Sequence, residues 1–305
     1  MRKGTIVAGL LIVWSAAVSA ALAQGKDACP NPDAIGVART VEIDTTDGPG
    51  FGFEHYKAYD FLRLKEVVLT FDDGPQVGYT HAVLEALAQH CTKATFFSIG
   101  KMAAGLPEII RDVHKAGHTI GTHTWSHADL SKLKSEDQWK AEIEKGVSAV
   151  RRAVGAPIAP FFRYPVLKDT KESLAHLASR NIAIFSADLD TFDFKFKRQN
   201  TDGFSKTVIE RLDRIGKGIL LFHDVHPVTA KALPAVLNEL KARGYKVVHL
   251  RPKAELKTLA EYDAQVEPLM KGMAAGNARP LSSVVRTIED EPPSASTKTT
   301  GSIKK

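Results

Sequence analysis

The sequence is poor in several features that would point directly to a function. Its 305 residues include only two cysteines, too few for a zinc site built on several thiolates. Its 41 lysines and arginines face 35 acidic residues, an excess too small to indicate nucleic-acid binding, and no basic run is interleaved with aromatic residues. There is no internal repeat and no sign of a second domain. The informative features are short apolar runs and the polar residues that follow them.

The N-terminus has the pattern of an export signal. A basic pair precedes an apolar run that ends in small residues at Ala23. This pattern predicts a signal peptide over 1–23 and no stable membrane anchor after its cleavage. We therefore expect a secreted or periplasmic protein. In an oxidising compartment Cys29 and Cys91 are candidates for a disulfide bond, with two free thiols as the alternative.

Composition divides the rest of the chain into three parts. The last part is rich in Pro, Ser, Thr, Lys and Glu and has few large apolar residues, so it is expected to be disordered. The middle part has ordinary globular composition and is long enough for one sizeable core. The predicted segments are an N-terminal extension tied to a barrel over 24–65, one domain over 66–265 and a disordered tail over 277–305.

Strand-like runs and helix-like segments alternate through the middle part. Seven runs rich in β-branched or aromatic residues predict buried strands at 67–71, 94–99, 119–121, 161–164, 182–186, 219–222 and 246–249. Apolar residues at helical spacing predict helices at 82–90, 107–116, 136–153, 171–179, 206–214 and around 233–240. This order indicates an α/β fold with a parallel sheet covered on both faces, either a barrel or a doubly wound layer.

Charged side chains follow nearly every predicted strand. In both α/β arrangements, functional residues gather in the loops that leave the carboxyl ends of the strands. The polar residues at these positions are Asp72 and Asp73, then the stretch 123–127, then Arg163, then the stretch 188–193, and finally His223 and Asp224.

Two histidines and two carboxylates in these loops predict a metal site. His123 and His127 are four positions apart, so on a helical turn both imidazoles would project from one face. A carboxylate as third ligand would complete a site for Zn²⁺, Co²⁺ or another first-row divalent ion, with a position open for water. The alternative is a surface or capping pair. The neighbouring Asp72 and Asp73 favour the metal, because one can bind the ion and the other can take a proton from its water.

Five motifs in order resemble the NodB-homology polysaccharide deacetylases, which are carbohydrate esterase family four. The motifs are TFDDGP, HTWSH, FFRYP, DTFDF and LLFHD, and the resemblance covers roughly 67–250. It implies a distorted (β/α)7 barrel. It also implies metal-dependent removal of acetyl groups from an N-acetylated or O-acetylated polysaccharide or oligosaccharide.

The same resemblance implies a role for each matching residue of this sequence. The implied roles are metal ligand for Asp73, His123 and His127, general base for Asp72, support of that base for Arg163, general acid for His223, tuning of that acid for Asp193, and backbone oxyanion donor for Val166. The sequence departs from the family pattern at two positions. Phe194 stands where the family often has Trp. Val166–Leu167 stands where Tyr-Gly is common, and this second difference affects the sugar pocket more than the chemistry.

Two other functions use parts of the same pattern. Two histidines and one carboxylate also form the facial triad of Fe(II) oxygenases, but that reaction gives Asp72 and His223 no role and usually occurs on an all-β scaffold. A non-catalytic cell-envelope or carbohydrate-binding protein could retain the fold. Such a protein would be expected to have lost a ligand or a proton-transfer residue, whereas all of these positions are filled.

Overall fold

The computed structural model describes residues 29–277 of the chain. The predicted signal peptide and nearly all of the predicted disordered tail lie outside the described residues. The strands are β1 Arg39–Ile43, β2 Gly50–Phe51, β3 Glu66–Asp72, β4 Thr95–Ser98, β5 Thr119–Thr122, β6 Phe161–Phe162, β7 Ala183–Phe185, β8 Leu189–Asp190, β9 Gly218–His223 and β10 Lys246–Pro252. The helices are α1 Tyr79–Gln89, α2 Gly100–Gly105, α3 Pro107–Lys115, α4 Glu136–Val154, α5 Lys171–Ser179, α6 Thr201–Ile215, α7 Pro227–Ala242 and α8 Ala260–Asn277.

The strands form the predicted α/β barrel, and every strand pairing among the described residues is parallel. Strand β3 pairs with β4 on one side and with β9 along most of its length on the other. From β4 the ladder continues through β5 and β6 to β7. The segment 183–190 closes the ring, because β7 at its start pairs with β6 and β8 at its end pairs with β9. The barrel is distorted, because β10 pairs with β3 only over its first two residues.

The side chains of β3 show how the sheet is buried on both faces. All seven residues of this strand are buried. Val67, Leu69 and Phe71 belong to the larger apolar cluster, which also contains the inner faces of the helices. Val68 belongs to a second cluster inside the barrel, with Phe97 and other large apolar residues. Because successive side chains of a strand point to opposite faces, Thr70 and Asp72 share the barrel-facing side with Val68.

The N-terminal extension runs along the barrel and adds two short strands. Strand β1 pairs with β10, and β2 pairs with β7. Arg39 forms an ion pair with the buried Glu66 at the start of β3, with 2.6 Å between nitrogen and oxygen. The structure also joins Cys29 to Cys91 as a disulfide pair, with Cα atoms 5.9 Å apart. These contacts fix the extension against both the sheet and the end of α1.

The sequence patterns did not predict β1, β2, β8, α2 or α8. Helix α8 packs on α4, where Val266 is fully buried and the Ser148 hydroxyl donates a hydrogen bond of 2.7 Å to Asp263. Within the described residues no helix combines the length and the apolar composition that crossing a bilayer requires.

Candidate active site

Asp72 and Asp73 are adjacent in sequence but occupy different environments at the end of β3. Asp72 continues the barrel-facing side of the strand and is 2% exposed. Asp73 follows the strand with a left-handed φ of 76°, which turns its carboxylate towards the loop after β5. There, Asp73 Oδ1 lies 3.5 Å from His123 Nε2 and 3.4 Å from His127 Nε2. The structure therefore brings together the three side chains that the sequence predicts as metal ligands.

His123 and His127 lie on an irregular turn, so the premise of a helical turn is wrong. Thr124 and His127 have left-handed φ values of 61° and 62°, which a right-handed helix does not contain. The Thr124 hydroxyl accepts a hydrogen bond from the backbone N–H of His127, and Glu142 of α4 accepts two from Ser126. The turn brings the two imidazoles together, with ring centroids 5.0 Å apart.

The chemistry of this group fits a divalent cation. Asp73 Oδ1 is buried and has no hydrogen-bond partner among the described residues. His123 Nδ1 lies 2.7 Å from the backbone carbonyl of Arg163 and must donate to it, which leaves the Nε2 lone pair directed at the Asp73 group. Burial lowers the pKa of His123 and so favours the neutral imidazole that binds metals. A cation among these atoms would bind the lone pairs of the Asp73 oxygen and of the imidazole nitrogens, which otherwise face one another.

A second group in the same cleft, Asp193, His223 and His226, also has ligand atoms within 4.8 Å of one another. Its carboxylate is already fully hydrogen-bonded. Asp193 Oδ1 accepts from His223 Nδ1 at 2.7 Å and from the backbone N–H of Phe194 at 2.9 Å. Oδ2 accepts from the backbone N–H of His223 and from the Thr229 hydroxyl. This arrangement suits a carboxylate that orients an imidazole better than one that binds a metal.

The pairing with Asp193 also changes the acidity of His223. Burial alone would lower the pKa of His223, but the hydrogen bond to Asp193 and the charges of Asp193 and Asp72 outweigh it and raise this pKa to about 9. Burial alone would raise the pKa of Asp193, but the hydrogen bonds from His223 hold the pKa of this carboxyl below its usual value. His223 is therefore kept protonated near neutral pH.

Arg163 is among the largest fully buried side chains of the described residues and joins Asp72 to the barrel wall. Its Nη1 donates to Asp72 Oδ1 at 2.8 Å and to the Thr70 hydroxyl at 2.7 Å. Its other donors reach the backbone carbonyls of Phe185 and Ser186. The charge of Asp72 is thus balanced inside the barrel by a guanidinium that has no freedom to move away.

Replacing Arg163 with alanine is expected to lower the free energy of unfolding by about 3–5 kcal/mol, because it leaves the buried Asp72 carboxylate without its partner. Arg243→Ala is the control, since Arg243 pairs with Asp213 at the surface, where solvent screens the pair, and its loss is expected to lower the free energy of unfolding far less. Urea unfolding of the two variants measures the difference. Equal losses would contradict the role given to the buried pair.

The cleft above these groups has a volume of about 550 Å³. Val166 lies at its rim, 59% exposed and with a left-handed φ of 51°. Phe194 is half exposed and packs edge-on against His223, with ring centroids 5.9 Å apart. Phe192 also lines the cleft. All eight residues predicted from the sequence are therefore at or directly beneath one opening.

Asp224, for which the sequence predicted no role, lies directly beneath the loop that carries Asp73. Asp224 is 1% exposed, accepts a hydrogen bond of 2.6 Å from the Thr80 hydroxyl, and leaves no room for a side chain on Gly74. Burial raises the pKa of this carboxyl to about 7. The only sequence signal is its place directly after His223. Glu54 and His55 of the extension also line the cleft and were not predicted.

Comparison with known proteins gives consistent matches. The family model described as polysaccharide deacetylase matches residues 62–184. A peptidoglycan-N-acetylglucosamine deacetylase of Bacillus cereus is 33% identical over 66% of this chain and 73% of its own length. A chitooligosaccharide deacetylase of a Bradyrhizobium species is 32% identical over 62% of this chain and 90% of its own length. The structure of a peptidoglycan deacetylase of Bdellovibrio bacteriovorus aligns with a TM-score of 0.63 and 32% identity, covering 71% of this chain and 59% of that one.

Proposed function

Because the chain belongs to the polysaccharide deacetylase family of NodB-homology type, we propose that it hydrolyses acetyl groups from N-acetylglucosamine units of a glycan outside the cytoplasm. The name of the Bacillus cereus relative specifies this sugar in peptidoglycan, and the name of the Bradyrhizobium relative specifies a chitooligosaccharide. The observation that carries the proposal is the unpartnered Asp73 oxygen between two imidazoles, with Asp72 and His223 beside it in one cleft. The predicted signal peptide agrees with action outside the cytoplasm.

Asp73, His123 and His127 would hold the divalent cation, Zn²⁺ or Co²⁺ being suitable for two nitrogens and one oxygen. Such a cation makes water nucleophilic near neutral pH and polarises a carbonyl group. Asp72 then acts as the general base that accepts the proton of the attacking water. Arg163 occupies Asp72 Oδ1, so the second oxygen is left to receive that proton.

His223 supplies the proton that the departing amine needs. Its Nδ1 is fixed by Asp193, so the proton is delivered from Nε2, and its raised pKa keeps that proton in place until it is required. The backbone N–H of Val166 is the proposed donor to the oxygen on which negative charge develops. Its place at the rim of the cleft is compatible with this role.

Acetate release tests the proposed function directly. Purified protein is incubated with a panel of acetylated glycans, including peptidoglycan, tetra-N-acetylchitotetraose and acetylated xylan, with and without a chelator. We expect acetate from the N-acetylglucosamine substrates, its loss with chelator and its return with Zn²⁺ or Co²⁺. Failure to release acetate from any of them would favour the non-catalytic carbohydrate-binding protein. Acetate release that depends on zinc would also argue against an Fe(II) oxygenase, because zinc has no redox chemistry.

The rate is expected to fall as pH rises towards 9, because His223 must be protonated to act as the acid and its pKa is raised to about 9. A cation at Asp73 would offset the negative charge of the nearby carboxylates and so oppose the rise in the pKa of His223. The midpoint of the pH profile is therefore expected at or below about pH 9. Asp193→Asn removes the charge that raises the pKa and should shift the midpoint to lower pH. The pH profile of kcat/KM measures the shift, and coincident profiles would contradict the assignment.

A further inference from the structure

One wall of the cleft is built by the N-terminal extension. Glu54 and His55 line the same opening as Asp73, His123 and Val166. The family model begins at residue 62, so these two side chains lie outside the pattern that identifies the family. Both are exposed, and both carry polar atoms that a bound glycan can reach. The extension therefore contributes to the substrate side of the cleft as well as to the barrel.

The segment that carries Glu54 and His55 is firmly attached to the chain after β7. The backbone N–H of Glu54 donates to the carbonyl of Ala187 at 3.0 Å, and the N–H of Phe53 donates to the Asp188 carboxylate. Gly52 has a left-handed φ of 98°, and a Cβ there would lie 2.7 Å from the Ser186 carbonyl carbon, so only glycine permits this approach.

Two side chains of the segment reach loops that belong to the active site. His55 Nδ1 lies 2.7 Å from the Ser186 hydroxyl, and the backbone carbonyl of Ser186 accepts from Arg163. The Tyr56 hydroxyl donates to Asp169 at 2.6 Å, in the loop that follows Val166. The imidazole of His55 is thus held at a fixed position near the catalytic groups, which reduces the entropy cost of binding a ligand there.

We propose that Glu54 and His55 form a subsite for the sugar unit next to the one that loses its acetyl group. A carboxylate and an imidazole accept and donate hydrogen bonds to neutral hydroxyl groups, which every sugar of such a glycan presents. The cleft volume of about 550 Å³ is in the range of sites that enclose a drug-sized ligand. This subsite rests on the proposed deacetylase function, and it makes the extension a determinant of substrate length.

The test compares a long and a short substrate in the variants His55→Ala and Glu54→Ala, each of which removes the side chain's hydrogen-bonding atoms. On tetra-N-acetylchitotetraose and on peptidoglycan, each variant should lower kcat/KM about tenfold, mainly through KM, as expected for one lost hydrogen bond. On 4-nitrophenyl acetate, which has no sugar to place there, both variants should match the wild type. Glu42→Ala is the matched control, because Glu42 is in the same extension but does not line this cleft.

The outcomes separate the subsite from the function on which it rests. If the wild type releases acetate from neither glycan, the proposed function fails and the subsite fails with it. If the wild type is active and the variants equal it on the glycans, the subsite alone is wrong. A loss of equal size on glycan and ester would show that His55 acts only by supporting Ser186 and Arg163, which also overturns the proposal. Recovery of glycan activity in His55→Gln would support hydrogen bonding as the cause.

Discussion

Asp72→Asn is expected to reduce kcat for acetate release by about 10²- to 10⁴-fold, the usual contribution of a general base, while leaving the bound metal in place. Asparagine keeps the shape of Asp72 and can still accept the hydrogen bond from Arg163. It cannot take a proton from water at neutral pH. Kinetics with a saturating glycan and metal analysis of the same sample measure the two quantities together.

The control for Asp72→Asn is Asp190→Asn, a second loss of a carboxylate in the same cleft. Asp190 Oδ1 accepts a hydrogen bond from the backbone N–H of Phe192, and an asparagine can accept the same bond. Its rate should therefore stay within about threefold of the wild type, well below the effect of losing a general base. Equal losses in the two variants would mean that Asp72 contributes only charge to the cleft.

His123→Ala is expected to remove the metal itself, and acetate release should fall to the level seen with chelator. His123 is 2% exposed, and its Nδ1 is committed to a backbone carbonyl, so its Nε2 has a fixed direction towards Asp73. Without this ligand only one nitrogen and one carboxylate remain, which is too few for a tightly held first-row ion. Metal content per chain after dialysis measures the loss.

His226→Ala distinguishes the two groups of candidate metal ligands in the cleft. His226 belongs to the group with Asp193 and His223 and takes no part in the group with Asp73. We expect this variant to retain its metal, because the Asp193 oxygens are already used by four donors. Loss of metal from His226→Ala, and its retention in His123→Ala, would reverse the assignment of the two groups.

The barrel was predictable because its main strands are continuous apolar runs buried on both faces. Strand β3 illustrates this, since all of its residues are buried and the run 67–71 already indicated it. The predicted distorted (β/α)7 barrel is confirmed by the parallel ladder and by the alignment with a solved deacetylase. Strands β2 and β8 have two residues each, too few for a periodic pattern. Helix α8 contains Pro268 and has only weak amphipathic character, so its pattern gave no helix prediction.

The candidate ligands and proton-transfer residues were predictable because they follow strands in order along the chain. The turns that aim them were not, since Asp73, Thr124 and His127 adopt left-handed conformations without being glycine. The positions of Glu54 and His55 depend on contacts with Ala187 and Ser186, which are more than 130 positions away in the sequence. Such contacts arise from tertiary packing, and local spacing carries no signal for them.

The proposed metal site is tested most directly by anomalous diffraction from crystals of the protein loaded with Co²⁺ or Zn²⁺. We expect a peak at about 2.0–2.2 Å from an Asp73 carboxylate oxygen and from the Nε2 atoms of His123 and His127, the usual ligand distances for zinc. Asp72 should lie beside the ion without binding it through the oxygen that Arg163 holds. A peak bound by Asp193, His223 and His226, or no peak in the cleft, would contradict the proposed mechanism.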